Sequence, residues 1–350
     1  MAIRKRYIGS VKLQERQYEV FIEGVNTSKV STKKEKDLPS QIRDLVDELL
    51  DKLRLSYNDI DAFVVSNSMG GLFGIPEFMR YVFPTAFGSH KVFYEVSCDE
   101  SAGLCAVIRG YKLIKSGIFT RVCAISGMHV NLKNIEEIKN VVFSDIISDM
   151  ESIVRNFEAK EKDGDAKVED LFKQYYANAL KNNYLDRKEL KKSKFDPSDF
   201  PDLKNSAGVC ILANGYSARN KQMSLSYADE FTVNSQNIYS SISEISRYIK
   251  ENIEEKTIEV IETSFINPVL DIILLKNLGL KDVKINPYGG AYFSNSPPVS
   301  SFLSFAYLCE YLKITGSKSG LAFSVATRSL DHFSVVQVLS ESKIKKKRGG

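Results

Sequence analysis

Apolar positions along the chain follow two periods, and the switches between them mark out the elements. Ile42, Leu45, Val46, Leu49, Leu50 and Leu53 recur at helical spacing, which predicts an amphipathic helix over Leu38 to Leu53 with Pro39 and Ser40 at its start. Short apolar runs bounded by turn residues predict buried strands at Asp59 to Ser66, Val92 to Ser97, Arg121 to Ile125, Ser206 to Ala213, Thr257 to Glu262, Gly320 to Ala326 and Phe333 to Leu339. Further strands are expected at Tyr7 to Val11, Tyr18 to Ile22 and Met223 to Asn237. Helices are expected at Pro76 to Val82, Ala102 to Lys115, Ile238 to Asn252, Pro268 to Leu278 and Pro298 to Leu312. Strands that alternate with helices imply parallel βαβ units and an α/β fold.

One succession occurs twice. Val92 to Val130 reads as strand, tight turn, helix, Ser116-Gly117 stop and strand. Val283 to Ala326 repeats it, with Asn286-Pro-Tyr-Gly-Gly-Ala291 as the turn and Thr315-Gly-Ser as the stop. The spacing is far longer than a solenoid repeat. It predicts two βαβ halves whose turns face each other across a pseudo-twofold. Between the halves the character changes. Residues 130–205 are rich in Lys, Asp, Glu and Asn, with stripes at Ile135, Ile138, Val141, Val142 and Ile146 and at Val168, Leu171, Phe172 and Tyr175. This stretch is too long for a connection and reads as a helical insert. The expected organisation is a first half at 1–130 and 206–220, an insert at 131–205 and a second half at 221–350.

Composition narrows the function classes. Of 350 residues, 43% are hydrophobic and 26% charged, an ordinary soluble balance. No uncharged apolar window reaches membrane length, and Met1 to Leu13 has no signal-peptide core, so a cytoplasmic protein without membrane contact is expected. The net charge of +4 is concentrated in Lys33-Lys34-Glu35-Lys36 and in Lys343 to Arg348. These runs read as a solvated loop and a frayed end; no aromatic-interleaved basic face points to nucleic acid. The five cysteines, Cys98, Cys105, Cys123, Cys210 and Cys309, include no C-x-x-C pair, and there are three histidines, so neither a metal site nor a disulfide framework is expected. Four of the cysteines lie in apolar strand or helix contexts. Cys98 differs, because it sits in the turn before a helix N-terminus, where backbone N–H groups and the helix dipole favour negative charge.

The motifs in these turns resemble those of the thiolase superfamily, in particular its archaeal and sterol-carrier type, over essentially the whole chain. Glu100-Ser-Ala-Gly103-Leu-Cys-Ala106, Ile114-Lys-Ser-Gly117 and Val122-Cys-Ala-Ile-Ser-Gly127 match a C-x-x-G-x-x-A helix start, an I-x-x-G helix end and a strand ending in glycine. Asn286 to Ala291 matches N-P-x-G-G-A. Weaker matches are Glu262-Thr-Ser-Phe265 at the N-E-A-F or H-D-C-F element and Asn205-Ser-Ala-Gly208 at D-G-A-A. The resemblance implies a five-layer α-β-α-β-α thiolase fold with an inserted helical loop domain. It implies a coenzyme A thioester as substrate, with no covalently bound cofactor. It also implies a homodimer or a heteromer with a catalytic thiolase homologue, and a possible small zinc-ribbon/OB-fold partner.

The departures from the family pattern fall on its chemistry. In that register the nucleophilic cysteine is replaced by Glu100, the Asn/His of the oxyanion hole by Glu262 and the G-H-P histidine by Ser296; the second cysteine falls near Val325. Acyl transfer needs a thiolate, a base and donors for the enolate. With that set replaced, the expectation is a non-catalytic or structural subunit of an acyl-CoA-processing complex. One alternative is an acyl-CoA aldolase or C–C lyase, with Glu100 and Glu262 as carboxylates and Tyr288 or Tyr292 beside them. A second is acetyl-CoA acyl transfer through Cys98, two residues from the matched position. Glu100 also has a plain role, since a carboxylate in a first helical turn is stabilising. His129 and His332 follow strand or loop ends and are not assigned as the base.

Overall fold

The computed structural model describes residues 19–33, 36–66, 87, 91–129, 144–161, 164–190, 195–196, 202–233, 238–253, 257–280, 282–296, 299–326 and 332–341. The expected strand at Tyr7 to Val11, the loop at 67–74, the helix at 76–82, the stripe at 135–142 and the basic tail lie outside them. The strands are β1 (Val20–Thr27), β2 (Ala62–Ser66), β3 (Val92–Val96), β4 (Arg121–Met128), β5 (Ser206–Asn214), β6 (Met223–Thr232), β7 (Val260–Thr263), β8 (Lys284–Ile285), β9 (Ser319–Val325) and β10 (His332–Ser340). The helices are α1 (Leu38–Leu53), α2 (Ala102–Lys115), α3 (Ser144–Lys160), α4 (Gly164–Ala179), α5 (Ile238–Asn252), α6 (Pro268–Leu278) and α7 (Val299–Thr315).

Helix ends follow local chemistry. Asp37 caps α1 by accepting the Ser40 amide at 3.0 Å, and Asn267 caps α6 by accepting the Val269 amide at 3.0 Å. Gly279 ends α6 in the left-handed region, at φ 72°. Residues 57–59 form a 3-10 turn, which delays β2 to Ala62. Likewise β7 begins at Val260 rather than Thr257, and within the described residues β6 ends at Thr232.

The ten strands run in the order β3-β2-β4-β5-β1-β6-β10-β9-β7-β8. Matching β1 with β6, β2 with β7, β3 with β8, β4 with β9 and β5 with β10 makes the second half the first half read backwards. This is the pseudo-twofold expected from the repeated strand–turn–helix. The halves join where Val20 and Phe21 pair antiparallel with Leu225 and Ser224.

Strand alternation divides the core into layers. Phe63, Val65, Cys123, Ile125, Val209 and Ile211 face outward and bury the apolar stripe of α1. Their neighbours Ala62, Val64, Val122, Ala124, Cys210 and Leu212 face inward. There α2 packs on β2, β4 and β5 of one half and on β6 and β10 of the other, α7 bridges the halves in the same way, and the two helices touch. Both are buried around most of their circumference, as the middle of a sandwich requires. On the far side of the second half, Asp271 of α6 meets Thr263 of β7, and α5 packs against α6. The insert helices α3 and α4 also lean on α6. The result is five layers, α-β-α-β-α. Among the described residues no helix is long and apolar enough to cross a membrane.

Candidate functional site

The turn between β3 and α2 is a 3-10 turn over Asp99–Ser101, closed by the Ser101 amide donating to the Cys98 carbonyl at 2.9 Å. It packs against β9, β10 and α7 of the second half. The Ser101 and Ser324 hydroxyls lie 2.9 Å apart, and Ser264 donates to Ser324 at 2.7 Å. In the first turn of α2, the Leu104 amide donates to the Ser301 hydroxyl of α7 at 3.1 Å. The helix starts of the two halves therefore meet at one place, and each supplies polar partners for the other. Glu100 is buried in this turn.

Cys98, half-buried, belongs to a cluster that spans the halves. Cys105 projects from the first turns of α2, and its Sγ lies 3.6 Å from His332 Nε2 and 3.1 Å from Ser334 Oγ. Ser334 pairs across the ladder with Glu230, and His332 is two residues before it on the same strand face. The ligand atoms of Cys98, Cys105, Glu230 and His332 all lie within 4.8 Å of one another. The Cys98 thiol is lowered to about 5 because Cys105 hydrogen-bonds to its thiolate; burial opposes this, and His332 adds to the lowering. Cys105 is raised, first by that same bond and then by burial. The arrangement has the ingredients of thiolate chemistry, or of metal ligation by two sulfurs, a nitrogen and a carboxylate. Neither Cys105 nor Glu230 is distinguishable in the sequence. Their contact depends on β6–β10 register and on how α2 sits across the sheet, and C-x-x-C spacing carries no trace of either.

The other matched positions lie deeper. Glu262 is fully buried; its Oε1 accepts the Tyr288 amide at 3.3 Å, and among the described residues its Oε2 has no hydrogen-bond partner. Burial raises its carboxyl well above the usual range, the Tyr288 amide pulls it down and Asp271 raises it further. Its surroundings therefore favour the protonated form. One carboxylate that acts on Glu262 is Asp271, on α6; Glu100 sits in the turn that packs against β9 and β10. Asp271 accepts from Thr263 Oγ1 at 2.7 Å, from Tyr175 Oη at 2.8 Å and from Asn286 Nδ2 at 3.2 Å.

Ser296 is buried with its amide donating to Ser300 Oγ at 2.8 Å, and its own Oγ has no hydrogen-bond partner among the described residues. Tyr292 is buried among Phe172, Phe195 and Phe293; among the described residues its hydroxyl has no hydrogen-bond partner, and burial raises it to about 12. Tyr288 stacks on Tyr307 of α7. His129 binds Gln41, 2.9 Å away, well apart from the thiol cluster in sequence and contacts. A cavity of about 300 Å³ opens beside the C-terminal half of α7, lined among others by Glu23, Tyr184, Tyr307, Glu310 and Lys313, and shares no residue with the thiol cluster.

No protein-family model and no curated protein sequence matches the chain. Solved structures do. The human mitochondrial 3-ketoacyl-CoA thiolase superimposes with a TM-score of 0.74 at 13% identity, covering 93% of this chain and 99% of its own. The dimeric peroxisomal thiolase of Saccharomyces cerevisiae superimposes with a TM-score of 0.70 at 14% identity, covering 93% and 98%. So complete an overlap at so low an identity is a likeness of architecture, and the fold of this chain is the thiolase fold.

Proposed function

We propose that this chain is a thiolase-fold protein of acyl-CoA metabolism that does not run the thiolase reaction and acts as a non-catalytic or structural subunit of an acyl-CoA-processing complex. One observation carries the reading: the side chains at the positions that match the family's catalytic set are sealed into the scaffold. Glu262 is fully buried, with its carboxyl raised well above the usual range by that burial, and the Ser296 amide is tied to Ser300. Glu100, buried in its turn, offers a carboxylate where a stable acyl-thioester needs a sulfur. The solved peroxisomal enzyme is dimeric by its description, and the exposed edge strand β3 suits a homodimer or pairing with a catalytic homologue. The test is acetoacetyl-CoA thiolysis by the purified chain. No turnover is expected; robust turnover abolished by Cys98→Ala would overturn the proposal.

A second reading, acyl transfer through Cys98, is favoured by the thiol–imidazole contact with His332. It predicts a burst of free coenzyme A and a mass increase of one acyl group on Cys98 when the chain meets an acyl-CoA. An unmodified Cys98 after that incubation removes this reading.

A further inference from the structure

We propose that Cys98, Cys105, Glu230 and His332 form a zinc site that fastens the turn before α2 to strands β6 and β10. The proposal goes beyond the functional reading above and does not depend on it. It begins with donor chemistry. Two thiols, an imidazole and a carboxylate are a borderline-soft set that suits zinc and is foreign to calcium or magnesium, which take oxygen ligands.

Geometry agrees. The four ligand atoms lie within 4.8 Å of one another. Bonds of about 2.0–2.3 Å to a tetrahedral zinc place neighbouring ligands roughly 3.3–3.8 Å apart. Cys105 Sγ and His332 Nε2 are already 3.6 Å apart. With no pair beyond 4.8 Å, adjustments of about 1 Å or less bring the others to that spacing.

The supporting groups fit as well. Ser334 Oγ, 3.1 Å from Cys105 Sγ, is placed to donate to a zinc-bound thiolate as an outer hydrogen bond. Among the described residues Glu230 pairs with Lys112 Nζ at 3.9 Å, and that ammonium is held more closely by Asp229 at 2.8 Å. Turning Glu230 toward a metal therefore strands no charge. On binding, any proton still on the two sulfurs leaves to solvent, and the zinc takes both thiolates, the imidazole nitrogen and the carboxylate oxygen. Two ligands come from each half of the chain, so the ion would cross-link the halves where the helix starts meet.

The test uses the full chain, without a histidine tag, purified from zinc-supplemented growth. Elemental analysis should find about one zinc per chain, and replacement by cobalt(II) should give thiolate charge-transfer absorption and the visible bands of a tetrahedral ion. Cys98→Ser and His332→Gln should each lose the metal, whereas Ser334→Ala should keep it with about 10–100-fold weaker affinity against a competing chelator. If a ligand variant fails to fold, the zinc count of the native chain and the protection of two thiols from a thiol reagent, reversed by chelation, decide the question. A native chain that carries no zinc and gives no cobalt spectrum on reconstitution overturns the site, as does zinc retained in a folded Cys98→Ser/His332→Gln double variant. None of these readouts measures turnover, so the zinc site and the non-catalytic reading can fail separately.

Discussion

Asp271 is a fully buried carboxyl group held by three donors, and its ionisation is tied to stability. Burial raises it to about 7, against the bonds from Thr263 and Tyr175 that lower it. The folded value thus lies above the unfolded one, about 3.9. The native state holds this proton more tightly, so the stabilisation is complete below about pH 4 and is lost as pH rises through about 7. Urea unfolding should show stability falling between about pH 4 and pH 7 and levelling off above. Asp271→Asn should flatten that fall and lower stability by about 1–3 kcal/mol at the acid end, because its amide nitrogen would face a donor. An unchanged slope in the variant would sink the assignment. Glu262 gives the complementary case. Because burial pushes its carboxyl toward the protonated form, Glu262→Gln should shift stability at neutral pH by no more than about 1 kcal/mol; a larger loss would count against that direction. At this scale the sequence was informative about which residue types stand at the matched positions. It was silent about their environment: nothing in the sequence marks Asp271 as a charge that acts on Glu262.

Asn286-Pro-Tyr-Gly-Gly is a docking element. Asn286 and Gly290 have φ of 45° and 72°, and Gly289 has 103°, a conformation open to glycine and strained for other residues. A Cβ on Gly289 would lie 2.9 Å from backbone atoms of Ala179, the last residue of α4. The same segment receives Asn178 and Asn182 side-chain amides at the Asn286 and Tyr288 carbonyls, at 3.1 and 3.0 Å. It therefore seats the insert on the core. Gly289→Ala should cost about 2 kcal/mol or more and expose residues 164–190 to limited proteolysis ahead of the rest of the chain; a variant as resistant as the parent would contradict this. The motif was legible as a family signature, but its mechanical role was not, since the partner helix lies more than a hundred residues away. Helices fared best: α1, α2, α5 and α6 begin and end where the periodicity and stop signals place them. Those signals are local. The β6–β10 register, which aligns Glu230 with Ser334 two residues from His332, has no local signature.

For the whole molecule, the strand order leaves β3 at one edge of the sheet and β8 at the other. Val92 on β3 is 41% exposed and Phe93 and Tyr94 are half-buried, an apolar edge that a second copy can cover. Light scattering should report a dimer for the purified chain. Val92→Lys, which changes an exposed position and leaves the core untouched, should weaken that dimer about tenfold or more; a dimer of undiminished affinity would place the interface elsewhere.

The way α2 is shared between halves also governs how the protein can be made. Residues 20–27 find their main partner strand only at 206–214, and the buried surface of α2 is covered by strands that end at residue 340. At about 5–20 residues per second, synthesis leaves that helix without its second cover for roughly 10–45 s. During that interval the nascent chain presents Leu104, Val107 and Ile108 to whatever it meets, which makes it a client for a holding chaperone. A gene fragment that stops before β6 should consequently give insoluble material, because the half it encodes is a fold missing one wall.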